Sequence, residues 1–125
     1  MSLENVPFAK LLGIEIESIE PGHAVLSMEI KEELKRNGGI AHGGAIATLI
    51  DSAMAMAIVQ LLAAGERTTT VDLTIHYMRP LSGGSARATA RVVRAGRRVI
   101  TVSAELFDTN EKLAATALST YLRLT

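Results

Sequence analysis

The sequence predicts an α+β domain in which an antiparallel sheet of about six strands wraps one long central helix. Two observations carry this. A run of about twenty residues from Ala45 to Gly65 is almost wholly Ala, Ile, Leu, Met and Val, the pattern of a helix buried all round. On both sides of it, apolar and polar residues alternate with a period of two in segment after segment, the signature of half-buried strands.

The elements follow in order. Val6 to Gly13 reads as a short amphipathic turn of helix, with Pro7 early and Gly13 as its stop. Ile14, Ile16 and Ile19 then alternate with Glu15 and Glu17, Pro21-Gly22 turns the chain, and Ala24, Leu26, Met28 and Ile30 alternate with Val25, Ser27, Glu29 and Lys31. That pair reads as a hairpin. A charged stretch, Glu32 to Arg36, leads into a glycine-rich loop and the long helix, for which Ala64-Gly65-Glu66 is the predicted stop. From Thr70 the period of two returns, with Val71, Leu73, Ile75 and Tyr77 on one face and Thr70, Asp72, Thr74 and His76 on the other. Further strands are expected around Ala88–Val92 and Ile100–Leu106 and from Leu113 to Leu124, with turns at Leu81–Gly84, Arg94–Arg98 and Asp108–Glu111. One helix does not cover the apolar face of so many strands, so the sheets are expected to pair across an oligomer.

At 125 residues the chain is expected to form a single domain, 1–125. Thirteen Lys and Arg balance thirteen Asp and Glu, so no global field draws it to nucleic acid or anionic lipid, and neither is an expected partner. The absence of cysteine excludes disulfides, thiolate nucleophiles and Cys-ligated metals and fits a cytoplasmic setting. Met1 to Lys10 lacks the basic and apolar regions of a leader. The apolar run is about long enough to span a bilayer. However, Asp51 near its middle would cost about 2.5–3.5 kcal/mol on insertion, and the flanking segments read as strands, so a buried helix is expected rather than a membrane span. His23 and His76 show no metal-ligand spacing to another His, Asp or Glu, and they read as surface histidines.

The chemistry concentrates at the start of the long helix. His42-Gly43-Gly44 lies where free N–H groups and the helix dipole favour developing negative charge, and the glycines let a ligand approach the backbone. One reading is an oxyanion hole for acyl transfer; the other is a tight entry to the helix, with His42 capping or packing. Asp51, alone in an apolar helix, needs a partner or a job. It reads as a general base or nucleophile, or as a structural carboxylate bonded to backbone or to an arginine. Thr70 either orients a water or is an ordinary strand threonine. Arg94, Arg97 and Arg98 around Gly96 form a solvated hairpin tip or a phosphate contact.

The loop and helix from Asn37 to Asp51, Asn-Gly-Gly-Ile-Ala-His-Gly-Gly-Ala-Ile-Ala-Thr-Leu-Ile-Asp, strongly resemble the hotdog-fold acyl-CoA thioesterases of the phenylacetic-acid-degradation type. The likeness continues through Thr70–Pro80 and the Gly96-Arg97-Arg98 turn and covers roughly residues 10 to 123. It implies a hotdog fold and hydrolysis of an acyl-CoA thioester without metal or cofactor. It also implies dimers, commonly paired into tetramers. By the same likeness Asp51 is the base or nucleophile, and the Gly43 N–H polarises the thioester carbonyl. His42 orients loop and substrate, and Thr70 helps place the water. Gly44, Arg79, Gly96, Arg97 and Arg98 fall to substrate binding. The family's loop asparagine is often six residues before the histidine; here Asn37 is five before and Arg36 occupies the sixth. Two other outcomes are open on sequence: a hotdog hydratase or dehydratase acting on the acyl chain, and a non-catalytic acyl-CoA-binding regulator. A last expectation follows from length. Asp51 lies about eight residues, some 12 Å, along the helix from Gly43, too far to meet a substrate held at that helix's own start. Two antiparallel helices in a symmetric dimer solve this, each bringing its Asp51 to the other's loop.

Overall fold

The computed structural model describes residue 3 and residues 5–124; the N-terminal stretch read for a leader falls partly outside them. The order is helix α1 (Pro7–Leu12), strands β1 (Glu15–Glu20) and β2 (His23–Glu29), helix α2 (Gly43–Val59), then β3 (Arg67–Tyr77), β4 (Ser85–Ala95), β5 (Val99–Phe107) and β6 (Leu113–Leu124). A single 3-10 turn, Glu32–Leu34, precedes the glycine loop. The six strands form one sheet in the order β1-β2-β4-β5-β6-β3, with every neighbouring pair antiparallel. Strand β3 therefore crosses to the far edge, where among the described residues β6 alone pairs with it.

The core lies between α2 and the inner sheet face. Leu49, Ile50, Ala53, Met54, Ala57 and Ile58 of the helix are buried against Ala24, Leu26 and Met28 of β2, Ala86, Ala88 and Ala90 of β4, and Ile100, Val102 and Leu106 of β5. The alanines of β4 let the helix approach closely, while the larger residues of β2 and β5 fill its flanks. Truncating Leu49 or Ile50 to Ala would cost about 2–5 kcal/mol through lost burial and cavity formation. At the N-terminus, Pro7 begins α1 and Gly13 ends it in the left-handed region at φ 75°, as predicted.

Three expectations are corrected. First, α2 is not buried all round: Gly44, Thr48, Asp51, Ser52, Ala55 and Val59 form a stripe of exposed and half-buried positions at helical spacing. Small side chains dominate this stripe, and no element among the described residues packs fully over it. Second, α2 ends at Val59, before the predicted stop. The Leu61 and Leu62 N–H groups reach back only three residues, to Ile58 and Val59, and tighten the chain out of the helix. Glu66 then accepts from the Ala63 N–H at 3.1 Å and pairs with Arg123 at 2.8 Å, which draws the chain into β3 from Arg67. Third, β3 does not alternate strictly. Thr70 opposes Tyr121 and Asp72 opposes Thr120, so Val71 is the extra residue of a β-bulge. The extra residue moves Thr70 onto the inner face with Leu73 and Ile75, away from Asp72, Thr74 and His76. No helix among the described residues is long and apolar enough to cross a membrane.

Candidate active site

The glycine loop is closed by backbone pairing. Lys35 and Ala41 form an isolated bridge, the Arg36 N–H donates to Ile40 C=O at 2.9 Å, and the Ala41 N–H donates to Leu81 C=O at 2.8 Å. Gly38 and Gly39 turn the tip at φ 91° and 76°, where a side chain would be strained. Asn37 stands exposed on this tip, with no side-chain hydrogen bond among the described residues, so this chain brings it to neither Asp51 nor Gly43.

His42 is the N-cap of α2: its Nδ1 accepts from the Gly44 N–H at 2.8 Å. This bond places the proton of a neutral ring on Nε2 and consumes the Gly44 donor. The Ala45 and Ile46 N–H groups both turn to His42 C=O. The Gly43 N–H is left without an acceptor among the described residues, an open donor at the positive end of the helix. On the other side of this peptide, the Tyr77 hydroxyl donates to Gly43 C=O at 2.7 Å. Tyr77 closes one wall of a cavity of about 340 Å³ that Arg36, Gly43, Ile46, Met78 and Arg79 also line. Desolvation raises its phenol above the ordinary tyrosine value. Sequence reasoning missed this residue, because its partner lies 34 positions away.

Asp51 sits two turns further along the open stripe of α2, half-buried. Its Oδ1 accepts from the Thr70 hydroxyl at 3.0 Å and, in a shorter bond, from the Tyr121 hydroxyl. Thr70 reaches it only because the bulge at Val71 turns Thr70 inward. Side chains hold that bulge: the Ser119 hydroxyl donates to Asp72 C=O at 2.6 Å, and Asp72 Oδ1 accepts from the Thr120 N–H at 3.0 Å. Tyr121 was also missed; as one apolar position in a weakly alternating strand, it carried no signal of its own. Its phenol is raised far above the ordinary value by burial first, then by the charge of Asp51 and the bond to it.

The remaining residues divide between the two ends of the sheet. Arg79 lies with the Gly43 loop. Gly96, Arg97 and Arg98 form the β4–β5 turn at the opposite end, closed by a Gly96 N–H to Val99 C=O bond at 2.9 Å and tied to β6 through Arg123 Nε donating to Gly96 C=O at 3.0 Å. Arg97 and Arg98 line a cavity of about 440 Å³ with Glu66, Leu122, Arg123 and Leu124. No group of three or more His, Cys, Asp or Glu able to hold a metal ion occurs among the described residues.

A six-stranded antiparallel sheet around one long helix, with a histidine-capped glycine entry and a single helix carboxylate, defines the hotdog thioesterase class. The chain belongs to the thioesterase superfamily, whose sequence profile matches residues 38–115. It is 34% identical over 111 residues to a putative esterase of Saccharolobus solfataricus, covering 89% of this chain and 73% of that protein. It is 30% identical over 137 residues to the medium/long-chain acyl-CoA thioesterase YigI of Escherichia coli, covering 98% of this chain and 88% of that protein. A solved structure of a point mutant of the phenylacetic acid degradation protein PaaI from Thermus thermophilus superposes with a TM-score of 0.87 at 33% identity, over 94% of this chain and 99% of that one.

Proposed function

We propose that the protein hydrolyses acyl-CoA thioesters to free acid and CoA, at sites shared between two copies of the chain. One observation carries the shared site: the two halves of the chemistry are anchored at opposite ends of β3. Thr70, near its start, holds Asp51, and Tyr77, at its end, holds Gly43. Gly43 and Asp51 themselves stand about 12 Å apart along α2, and their anchors on β3 are seven residues, about 23 Å, apart, so one chain carries two incomplete halves. β3 is an edge strand, and Val71, Tyr77 and Met78 beside that edge are exposed. Antiparallel pairing of two β3 edges about a two-fold axis sets the start of one strand against the end of the other. Each Asp51 then stands beside the partner's open Gly43 N–H.

In such a site the Gly43 N–H donates to the thioester oxygen and stabilises the negative charge growing on it. Asp51 acts as general base or as nucleophile. As base it takes a proton from water as the water oxygen bonds to the carbonyl carbon; the C–S bond breaks and the proton passes to the CoA sulfur. As nucleophile it bonds to the carbon itself while the C–S bond breaks and CoA leaves as the thiolate; water then cleaves the anhydride, returning the Asp51 carboxylate and releasing the acid, with a proton passing to the CoA sulfur. The arginines of the 96–98 turn supply cations for the CoA phosphates, with Arg79 of the partner as a further candidate.

A panel of acyl-CoA thioesters with a thiol reagent tests the activity. Thiol release is expected; loss of an enoyl group without thiol, or binding alone, overturns the hydrolase reading. Mixing inactive His42→Ala and Asp51→Ala proteins under subunit exchange tests the sharing. Random pairing makes half the dimers mixed, each with one intact site, so about a quarter of wild-type activity should return. No recovery after verified exchange would place both residues in one chain's site.

A further inference from the structure

We propose that Tyr121 is a positioning residue for hydrolysis: with Thr70 it fixes Oδ1 of Asp51 and leaves Oδ2 as the oxygen that meets water or substrate. This rests on the reading of Asp51 as the reacting carboxylate. A carboxylate on a helix turns freely about its last bond, and its two oxygens are equivalent until the surroundings distinguish them. Here the surroundings do so completely. Both donors, the Thr70 and Tyr121 hydroxyls, converge on Oδ1. No donor among the described residues reaches Oδ2, and Oδ2 is not enclosed: His23 Nδ1 is the one buried, unbonded side-chain polar atom among those residues.

The two donors differ in rigidity. Thr70 is exposed on the edge strand, whereas Tyr121 is 2% exposed, on β6 between β5 and β3. The Tyr121 hydroxyl also lies 3.0 Å from the Asp51 backbone carbonyl. Its single proton belongs to the stronger acceptor, the charged Oδ1, while the carbonyl contact fixes the ring against the helix backbone. Besides Asp51, the hydroxyls of Thr70 and Ser119 act on the phenol. The phenol stays protonated because burial and the neighbouring negative charge both oppose its ionisation. It is a permanent donor to Asp51 and does not take part in proton transfer.

The test is a kinetic cycle of Tyr121→Phe and Asp51→Asn, read by thiol release from an acyl-CoA that the wild type hydrolyses. Tyr121→Phe should lower kcat about tenfold and leave KM within about twofold, since orientation and not binding is lost. In the Asp51→Asn background, Tyr121→Phe should cause no further loss. An equal loss in both backgrounds, or an unchanged kcat in the single variant, overturns the proposal. If Asp51→Asn alone retains wild-type turnover, the reading of Asp51 fails. If it is inactive while Tyr121→Phe is fully active, only the positioning role fails. A second measurement needs no Tyr121 variant. The chain has two tyrosines, so ring-labelled protein gives two Cζ resonances, assigned with Tyr77→Phe. Asp51→Asn should shift the Tyr121 resonance; an unmoved resonance shows that the hydrogen bond is absent and overturns the proposal.

Discussion

In the proposed shared site, the two halves at the ends of β3 are built in different ways. At the Gly43 end the essential bonds are local: His42 caps Gly44 two residues away, and the Arg36–Ile40 turn closes the loop within five. Tyr77, and Leu81 with the carbonyl that takes the Ala41 N–H, come from afar. At the Asp51 end nothing is local. Thr70 is 19 positions from Asp51 and Tyr121 is 70. Ser119 secures the bulge by bonding Asp72, 47 positions away. The contrast shows why a donor loop survives as a short motif while a carboxylate needs the assembled sheet. Helix capping completes the first with a few residues, whereas orienting the second takes side chains from two further strands.

The largest expected effect breaks the distant half. Asp51→Asn keeps the shape of the side chain but removes the charge and replaces one acceptor oxygen by an NH2 group. Turnover should fall about 10²–10⁴-fold, with the thermal unfolding midpoint little changed. Near-wild-type turnover would remove Asp51 from the mechanism.

A smaller effect is expected from breaking the local half. A Cβ at Gly44 would sit 3.0 Å from His42 Nδ1, so Gly44→Ala should push the ring off its cap and misalign the Gly43 N–H. Turnover should drop about tenfold. Stability should change by less than about 1 kcal/mol, because the alanine's helix propensity offsets the weakened cap. A large loss of stability, seen by denaturant unfolding, would mean that the loop holds the fold and not only the site.

The smallest effect sharpens the comparison by asking which end meets the CoA phosphates. Arg97→Ala and Arg98→Ala should each raise KM for acyl-CoA several-fold, about 1 kcal/mol for an exposed charge-assisted contact, and spare small thioesters without the nucleotide. Equal damage to both substrate types would assign the 96–98 turn a structural role.

Much of this was legible in the sequence. Alternation marked the strands, Pro7 and Gly13 bounded the first helix, and the loop from Asn37 to Gly44 followed by Asp51 identified the family, because each signal depends on residues close together in the chain. Strict alternation misplaced Thr70, since a bulge changes the face of every earlier residue and is set by pairing with β6. The stop of α2 at Val59 and the open stripe along it were illegible for a similar reason: an apolar run does not reveal which side a neighbour leaves uncovered. Tyr121 looked like any strand aromatic.

By itself, then, the sequence determined the order of elements, the fold class and the presence of a donor loop and a lone carboxylate, all products of short-range propensity and hydrophobic period. The tertiary structure decided which threonine faces that carboxylate and which tyrosine holds it. Those depend on strand register, and register is settled only when the whole sheet pairs and closes over the helix.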